Sequence, residues 1–245
     1  MHDKEFEYLE CEKRYVFFLL MFVGGFLGGF TYSIRGGVFF NAQTANFICM
    51  GMAIGNQQWS KALHYFVPMG AYLLGTVLSE ALPKPIKKME IIRWDTLLIG
   101  IEMIVIFVLG LVPEAAPFQI SQISINVIMS MQYNTFRQAR GIPMATTFCT
   151  NHVRQVGVYL YKTISHYSDK NNLKRFIVHV GMLIMFMLGV IVSTILCVFM
   201  RGKAIWITLI PLGILFTQFL MADLGNEKDF LQLTPRAVSY THLRA

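Results

Sequence analysis

Six long, nearly uncharged apolar stretches dominate this sequence: 15–34, 65–82, 96–112, 116–134, 176–199 and 204–221. Each approaches the roughly 20 residues of helix needed to cross a hydrocarbon core. Helix is the expected state, because an open sheet would leave backbone groups unpaired in lipid. A composition of 55% hydrophobic against 14% charged residues excludes an ordinary soluble domain. The chain is therefore expected to be an all-α, polytopic membrane protein with a single membrane domain over 1–236 and the lipid bilayer as its partner.

Two further stretches, 38–54 and 144–161, are too polar for a lipid-facing span. The first carries Asn41, Gln43, Thr44 and Asn46; the second carries Thr146, Thr147, Thr150, Asn151, His152 and Arg154. Basic residues arbitrate through their excess in cytoplasmic loops. If neither stretch crosses and the N-terminus is cytoplasmic, 17 Lys and Arg lie inside and 4 outside, namely Arg35, Lys61, Arg201 and Lys203. If both cross, the split falls to 11 against 9 and Arg154 sits in the membrane. The expectation is six full transmembrane helices plus two short broken or re-entrant helices, in a bacterial cytoplasmic membrane with both termini cytoplasmic.

A faint repeat relates the two halves, about 15–112 and 116–221. Arg35-Gly36 followed by Asn46 returns, 105 residues later, as Arg140-Gly141 followed by Asn151. Three spans per half would place the copies in opposite orientations. Such an inverted repeat brings its two broken segments together near the midplane, where secondary transporters bind their solutes.

The formal charge of +7 does not point to nucleic acid, since the basic residues sit at span ends and in inside loops rather than in one cluster. The N-terminal stretch, with Asp3, Glu5, Glu7, Glu10 and Glu12 ahead of Lys13-Arg14, reads as the lead-in to an uncleaved first span. Cys11, Cys49, Cys149 and Cys197 are too scattered for a metal site or a disulfide framework, and no cofactor is implied. Residues 237–245 read as a non-native tail of translated adapter sequence, outside the fold. A homo-oligomer stays open.

The run Gly36-Gly37-Val38-Phe39-Phe40-Asn41-Ala42-Gln43-Thr44-Ala45-Asn46, then Trp59 to Tyr72, resembles the first signature of the YoaK-like bacterial membrane proteins. Met129 to Asn134 and Thr146 to Asn151 resemble the second. Ala45 stands where that family has glycine, and Cys149-Thr150-Asn151 where it has Thr-Gly-Thr. The resemblance spans about 15–221 and implies a small permease-like membrane protein, without naming a transported compound.

Thr44 and Asn46 in one polar segment, with Thr147, Thr150 and Asn151 in the other, are the candidate substrate-binding residues. Polar groups in a bilayer either face water and function or hydrogen-bond one another, and both readings stand for these. In 116–134, Gln119, Gln122, Asn126 and Ser130 fall on one helical face, which lines either a cavity or the other half of the protein. Gln122 and Asn126 join the candidate site. Gly24, Gly25, Gly28 and Gly29 form a small-residue pattern suited to close helix packing. Glu102 is the candidate coupling residue, either a proton carrier or a snorkelling or hydrogen-bonded side chain. His152 and Arg154 close the second polar segment, and Glu80 is expected to pair with Lys84 or Lys87.

No His-Glu-x-x-His helix, nucleophile elbow or phosphate loop occurs, and Cys149 with His152 is the nearest approach to a catalytic pair. The chain is not expected to be an enzyme. Permease-like movement of a small polar solute or ion ranks first; a non-transporting scaffold or sensor is the alternative.

Overall fold

The first apolar run becomes α1 (Arg14–Ile34), and its glycines decide what packs around it. Gly25 and Gly29 lie against α8 (Lys170–Met200), where an added Cβ would overlap the Phe186 carbonyl or come within 3.2 Å of Ser193. On α8, Gly189 lies under the Phe22 and Phe26 backbone, and Gly181 meets Phe18. These contacts rise together in number along both helices, so α1 and α8 run parallel. The computed structural model describes residues 8–165, 169–231, 233 and 235. The expected non-native tail, 237–245, and the acidic residues before Tyr8 lie outside the described residues.

A second parallel pair has the same construction. On α3 (Trp59–Ala81), Gly75 fits beneath the Val127 carbonyl and Ser130 of α6 (Phe118–Thr135). One turn on, Asn134 Nδ2 donates to Ser79 Oγ and to Glu80 Oε1, each at 2.7 Å. Glu80 takes a further bond from Arg137 Nη2 at 2.8 Å, so its hydrogen-bonded cation comes from beyond α6, while Lys84 acts on it electrostatically. The short α4 (Pro83–Lys87) continues from α3.

α5 (Trp94–Leu111) packs antiparallel to α9 (Leu209–Leu224): Trp206 Nε1 donates to the Phe107 carbonyl, Gly213 meets Met103, Gly100 meets Phe216, and Asp223 binds Thr96. Four helical stretches among the described residues are long and apolar enough to cross a membrane: Arg14–Ile34, Trp59–Lys87, Trp94–Leu111 and Lys170–Leu224. The last folds back on itself. Arg201, with φ at 47°, ends α8, and the chain turns through a 3-10 segment, Arg201–Thr208, before α9 returns. The outward faces carry Leu73, Ile104, Ile184, Ile195 and Ile214, an apolar exterior suited to lipid.

The two polar stretches form shorter helices, each preceded by a loop that enters the bundle. α2 (Gln43–Gly55) starts beside Gly28, and α7 (Thr150–Ser165) follows a loop that passes Gly24. α2 then returns to the end of the bundle that holds Arg35, where His64 of α3 lies 3.4 Å from the Gly36 carbonyl. α7 runs back antiparallel to α8, pairing His152 with His179 and Tyr159 with Arg175, toward the opposite end. Both copies of the Arg-Gly motif are reversals. Gly36 and Gly37 have φ of 83° and 71°, and Arg140 and Gly141 have 47° and 74°. The second pair closes a two-residue hairpin between β1 (Gln138–Ala139) and β2 (Ile142–Pro143), where positive φ at both central positions matches the twist of the strands.

An ion cluster closes the end opposite Arg35. Arg93, wholly buried, donates through Nε to Asp223 Oδ1 at 2.7 Å and lies 2.6 Å from Glu227 Oε2 and 3.2 Å from Asp95 Oδ2. The Thr96 hydroxyl and the Arg93 N–H both donate to Asp223 Oδ2, and the Glu10 N–H donates to Glu227 Oε1. One guanidinium thus ties together α5, α9 and the N-terminal segment. Burial pushes the Cys11 thiol beside it well up, and Asp95 adds to the effect. Burial also pushes Glu227 up, against the pull of Arg93.

Candidate functional site

Glycines on α1 make room for the polar loops. A Cβ at Gly28 would come within 2.8 Å of Asn41 Nδ2, and one at Gly24 within 2.7 Å of the Thr146 carbonyl. Both loops can therefore reach the middle of α1, and both deliver a helix start to one cavity of about 770 Å³. Asn41, Gln43 and Thr44 line it from the entry and first turn of α2, and Phe148, Cys149 and Thr150 from the entry and start of α7. α2 has no side-chain cap, so its first-turn N–H groups, beside this space, take no capping side chain. Two helix N-termini at one cavity give it a positive potential without a charged side chain. Among the described residues, no Asp, Glu, Lys, Arg or His lines it.

Much of the remaining wall is aromatic, with Ser33, Val190 and Thr194 beside the rings. Tyr32 stacks on Phe39 at 4.5 Å between ring centroids, and Tyr133 leans on Phe148 at 4.9 Å. Tyr72 and Phe186 add further rings to the lining. Sequence reasoning missed these rings, although the repeat held a pointer to one of them: the 105-residue offset carries Gly28 onto Tyr133.

The candidate residues separate into three groups. Thr44 and Thr150 line the cavity. Asn46, Gln122 and Asn126 are buried in a hydrogen-bonded chain beside it. Asn46 Nδ2 donates to the Phe39 carbonyl at 2.6 Å and to Gln43 Oε1 at 3.3 Å. Gln43 Nε2 donates to Asn126 Oδ1 at 3.1 Å, Asn126 Nδ2 to the Gln122 carbonyl at 2.7 Å, and Gln122 Nε2 to the Arg35 carbonyl at 2.6 Å. These amides join α2 to α6 and to the end of α1, so the polar face of α6 meets the other half of the chain. The third group lies apart. Asn151 Oδ1 accepts from Arg154, and Thr147 is buried against Gly24 with its hydroxyl lacking a hydrogen-bond partner. Glu102 is buried on α5 with neither carboxylate oxygen hydrogen-bonded, away from the cavity.

His152 turns from the cavity toward α8. Its Nε2 lies 2.8 Å from the Ala145 carbonyl and its Nδ1 2.9 Å from His179 Nδ1. Tyr159 stacks on His179, and Arg175 donates to the Tyr159 hydroxyl. Cys149 lines the cavity, whereas both ring nitrogens of His152 are engaged by His179 and the Ala145 carbonyl. Among the described residues no group of three His, Cys, Asp or Glu is placed to hold a metal ion.

Residues 16–218 match a family described as a protein of unknown function, DUF1275. The chain belongs to the DUF1275 family. The match covers α1 through most of α9, so the cavity of this DUF1275 protein lies wholly inside the family region. The resemblance to YoaK-like proteins is compatible with that membership. No curated protein and no solved structure is detectably similar to the chain.

Proposed function

We propose that this protein is a permease-like carrier of the bacterial cytoplasmic membrane that moves a small polar solute or anion through the cavity between its two halves. The observation that carries the reading is the meeting of two helix N-termini, from α2 and α7, at one aromatic-walled space. Broken helices in transporters present N-termini to anionic solute groups in this way. The lining holds no carboxylate to neutralise a cation, whereas the two helix N-termini favour negative charge. A solute with one negatively polarised group and a flat or apolar body fits best: the group meets the N–H donors, and the body lies against Tyr32, Phe39 and Tyr133.

An inverted repeat of six spans and two re-entrant helices fits the packing. The 105-residue offset carries α1 to α6, α2 to α7 and α3 to α8. The parallel pair α1 and α8 thereby maps onto α6 and α3, and α2 on α3 maps onto α7 on α8. The basic loops holding Lys84, Lys87, Lys88, Arg137 and Arg140 share the Arg93 end, which orients that end to the cytoplasm.

The test is uptake into proteoliposomes, with solutes first chosen by thermal stabilisation of the detergent-purified protein. Thr44→Val with Thr150→Val should lower uptake about thirtyfold while the protein stays folded, since each change removes a hydrogen-bonding group worth roughly 1 kcal/mol. Unchanged uptake would remove the cavity from the pathway. A chain that no solute stabilises, yet that retains a protein partner on purification, would be a scaffold or sensor.

A further inference from the structure

Arg35 is 2% exposed, yet its Nε and Nη2 have no hydrogen-bond partner. The side chain is held firmly. Its guanidinium carbon lies 5.6 Å over the Phe30 ring, and Gly202 leaves space that a Cβ would close to 2.8 Å from Nη2. The Arg35 carbonyl is fixed by Gln122, and the chain turns away at Gly36 with φ of 83°. The guanidinium borders a second cavity, of about 440 Å³, lined also by Glu114, Phe118, Arg201 and Gly202. Glu114 is the acid lining this space, and it is taken up by Arg201 Nη1 at 2.7 Å. Two guanidinium groups and one carboxylate leave a surplus positive charge, and the buried one has donors to spare. A buried cation with idle donors is costly unless an anion completes it.

We propose that this pocket, separate from the cavity at α2 and α7, binds a phosphate-type oxyanion through the Arg35 fork, with Arg201 as the outer clamp. Paired guanidinium groups suit a tetrahedral oxyanion, because their planar donors bind two oxygens at once. The same chemistry is offered by free phosphate and by the headgroup of an anionic lipid at this end of the bundle.

The experiment uses the full chain in a phosphate-free maltoside detergent and follows the melting midpoint and titration heat. One arm adds inorganic phosphate, a second adds short-chain phosphatidylglycerol, and a third adds sodium chloride at matched ionic strength. Stabilisation by phosphate beyond chloride assigns a free anion; stabilisation by the lipid alone assigns a headgroup. Arg35→Gln should weaken that binding at least tenfold, the loss of a charge-assisted pair. Glu114→Gln, at an exposed position, should tighten it several-fold by freeing Arg201, and serves if the Arg35 variant fails to fold. Thr44→Val with Thr150→Val should leave it unchanged, which separates this site from the transport reading. An effect no larger than chloride in both arms, or affinity unmoved in Glu114→Gln, overturns the proposal.

Discussion

His152 Nδ1 and His179 Nδ1 lie 2.9 Å apart, a separation at which one nitrogen carries the proton and the other accepts it. The Ala145 carbonyl, 2.8 Å from His152 Nε2, accepts a hydrogen bond from it, which puts the proton of the neutral ring on Nε2 and leaves Nδ1 as the acceptor. His179 is therefore the donor. The pair fastens the first turn of α7 to α8, next to the cavity-lining Cys149 and Thr150. Replacing His179→Leu leaves the buried His152 nitrogen without a donor. The expected cost is about 1–3 kcal/mol, read as a lower melting midpoint. Labelling of Cys149 by a thiol reagent should become faster as α7 loosens; an unchanged midpoint and labelling rate would show that the pair carries no structural weight.

The Arg93 cluster makes a stronger demand on stability. Three carboxylates, from Asp95, Asp223 and Glu227, share one wholly buried guanidinium. Removing it leaves uncompensated charge in a site closed to water. Arg93→Leu should cost about 3–5 kcal/mol and sharply reduce the monodisperse fraction recovered in detergent. Arg93→Lys should rescue only part of this, because one ammonium cannot span three acids that approach from α5, α9 and the C-terminal turn. Full recovery with lysine would mean that charge alone, not the fork, holds this end.

Two glycines offer a paired comparison. Gly25 lies against the Phe186 backbone of α8, and any Cβ there must push the helices apart. Gly25→Ala should destabilise by about 1–3 kcal/mol. Gly51, on α2, has nothing within 4 Å of a Cβ. Gly51→Ala should stabilise by about 0.5–1 kcal/mol through helix propensity. Thermal melts of both variants side by side check the α1 and α8 contact directly, since equal effects would place both glycines in the same environment.

The helices were legible because hydropathy and length dominate in this class. All six expected apolar stretches lie within or overlap helices, with the largest differences at polar ends. α3 begins at Trp59, six residues before the expected start, because Lys61 and His64 depress the hydropathy of its first turn. α9 is preceded by a 3-10 segment that a helical pattern does not distinguish. Of the site, Thr44 and Thr150 were readable as polar residues at helix breaks, since such groups stand out in an apolar chain. The roles of Asn46, Gln122 and Asn126 depend on which carbonyls lie opposite, and no local pattern encodes those. The Arg93 cluster was invisible for a related reason: Asp223 is 130 residues away, and each acid looks like an ordinary charge at a helix end.

Sidedness offers the sharpest check on the arrangement of the two halves. Trp94 Nε1 donates to Thr135 Oγ1, and Glu80 binds Arg137, so the loops around Lys87 and Arg140 lie at one end. Arg35, Glu114 and Arg201 gather at the other. Single cysteines placed by Lys87→Cys, Arg140→Cys, Gln57→Cys and Lys203→Cys, in a chain whose native cysteines are replaced by alanine, should divide two and two. The first pair should react with an impermeant reagent only from the cytoplasmic side, the second only from outside. Cys149, restored alone, should react from the side to which the cavity opens, whereas buried Cys11 should stay inert, its thiol pushed well up by burial. If the first pair splits across the membrane, an odd number of crossings separates positions 87 and 140. The halves would then run in the same direction, and the meeting of α2 and α7 could not arise from an inverted repeat.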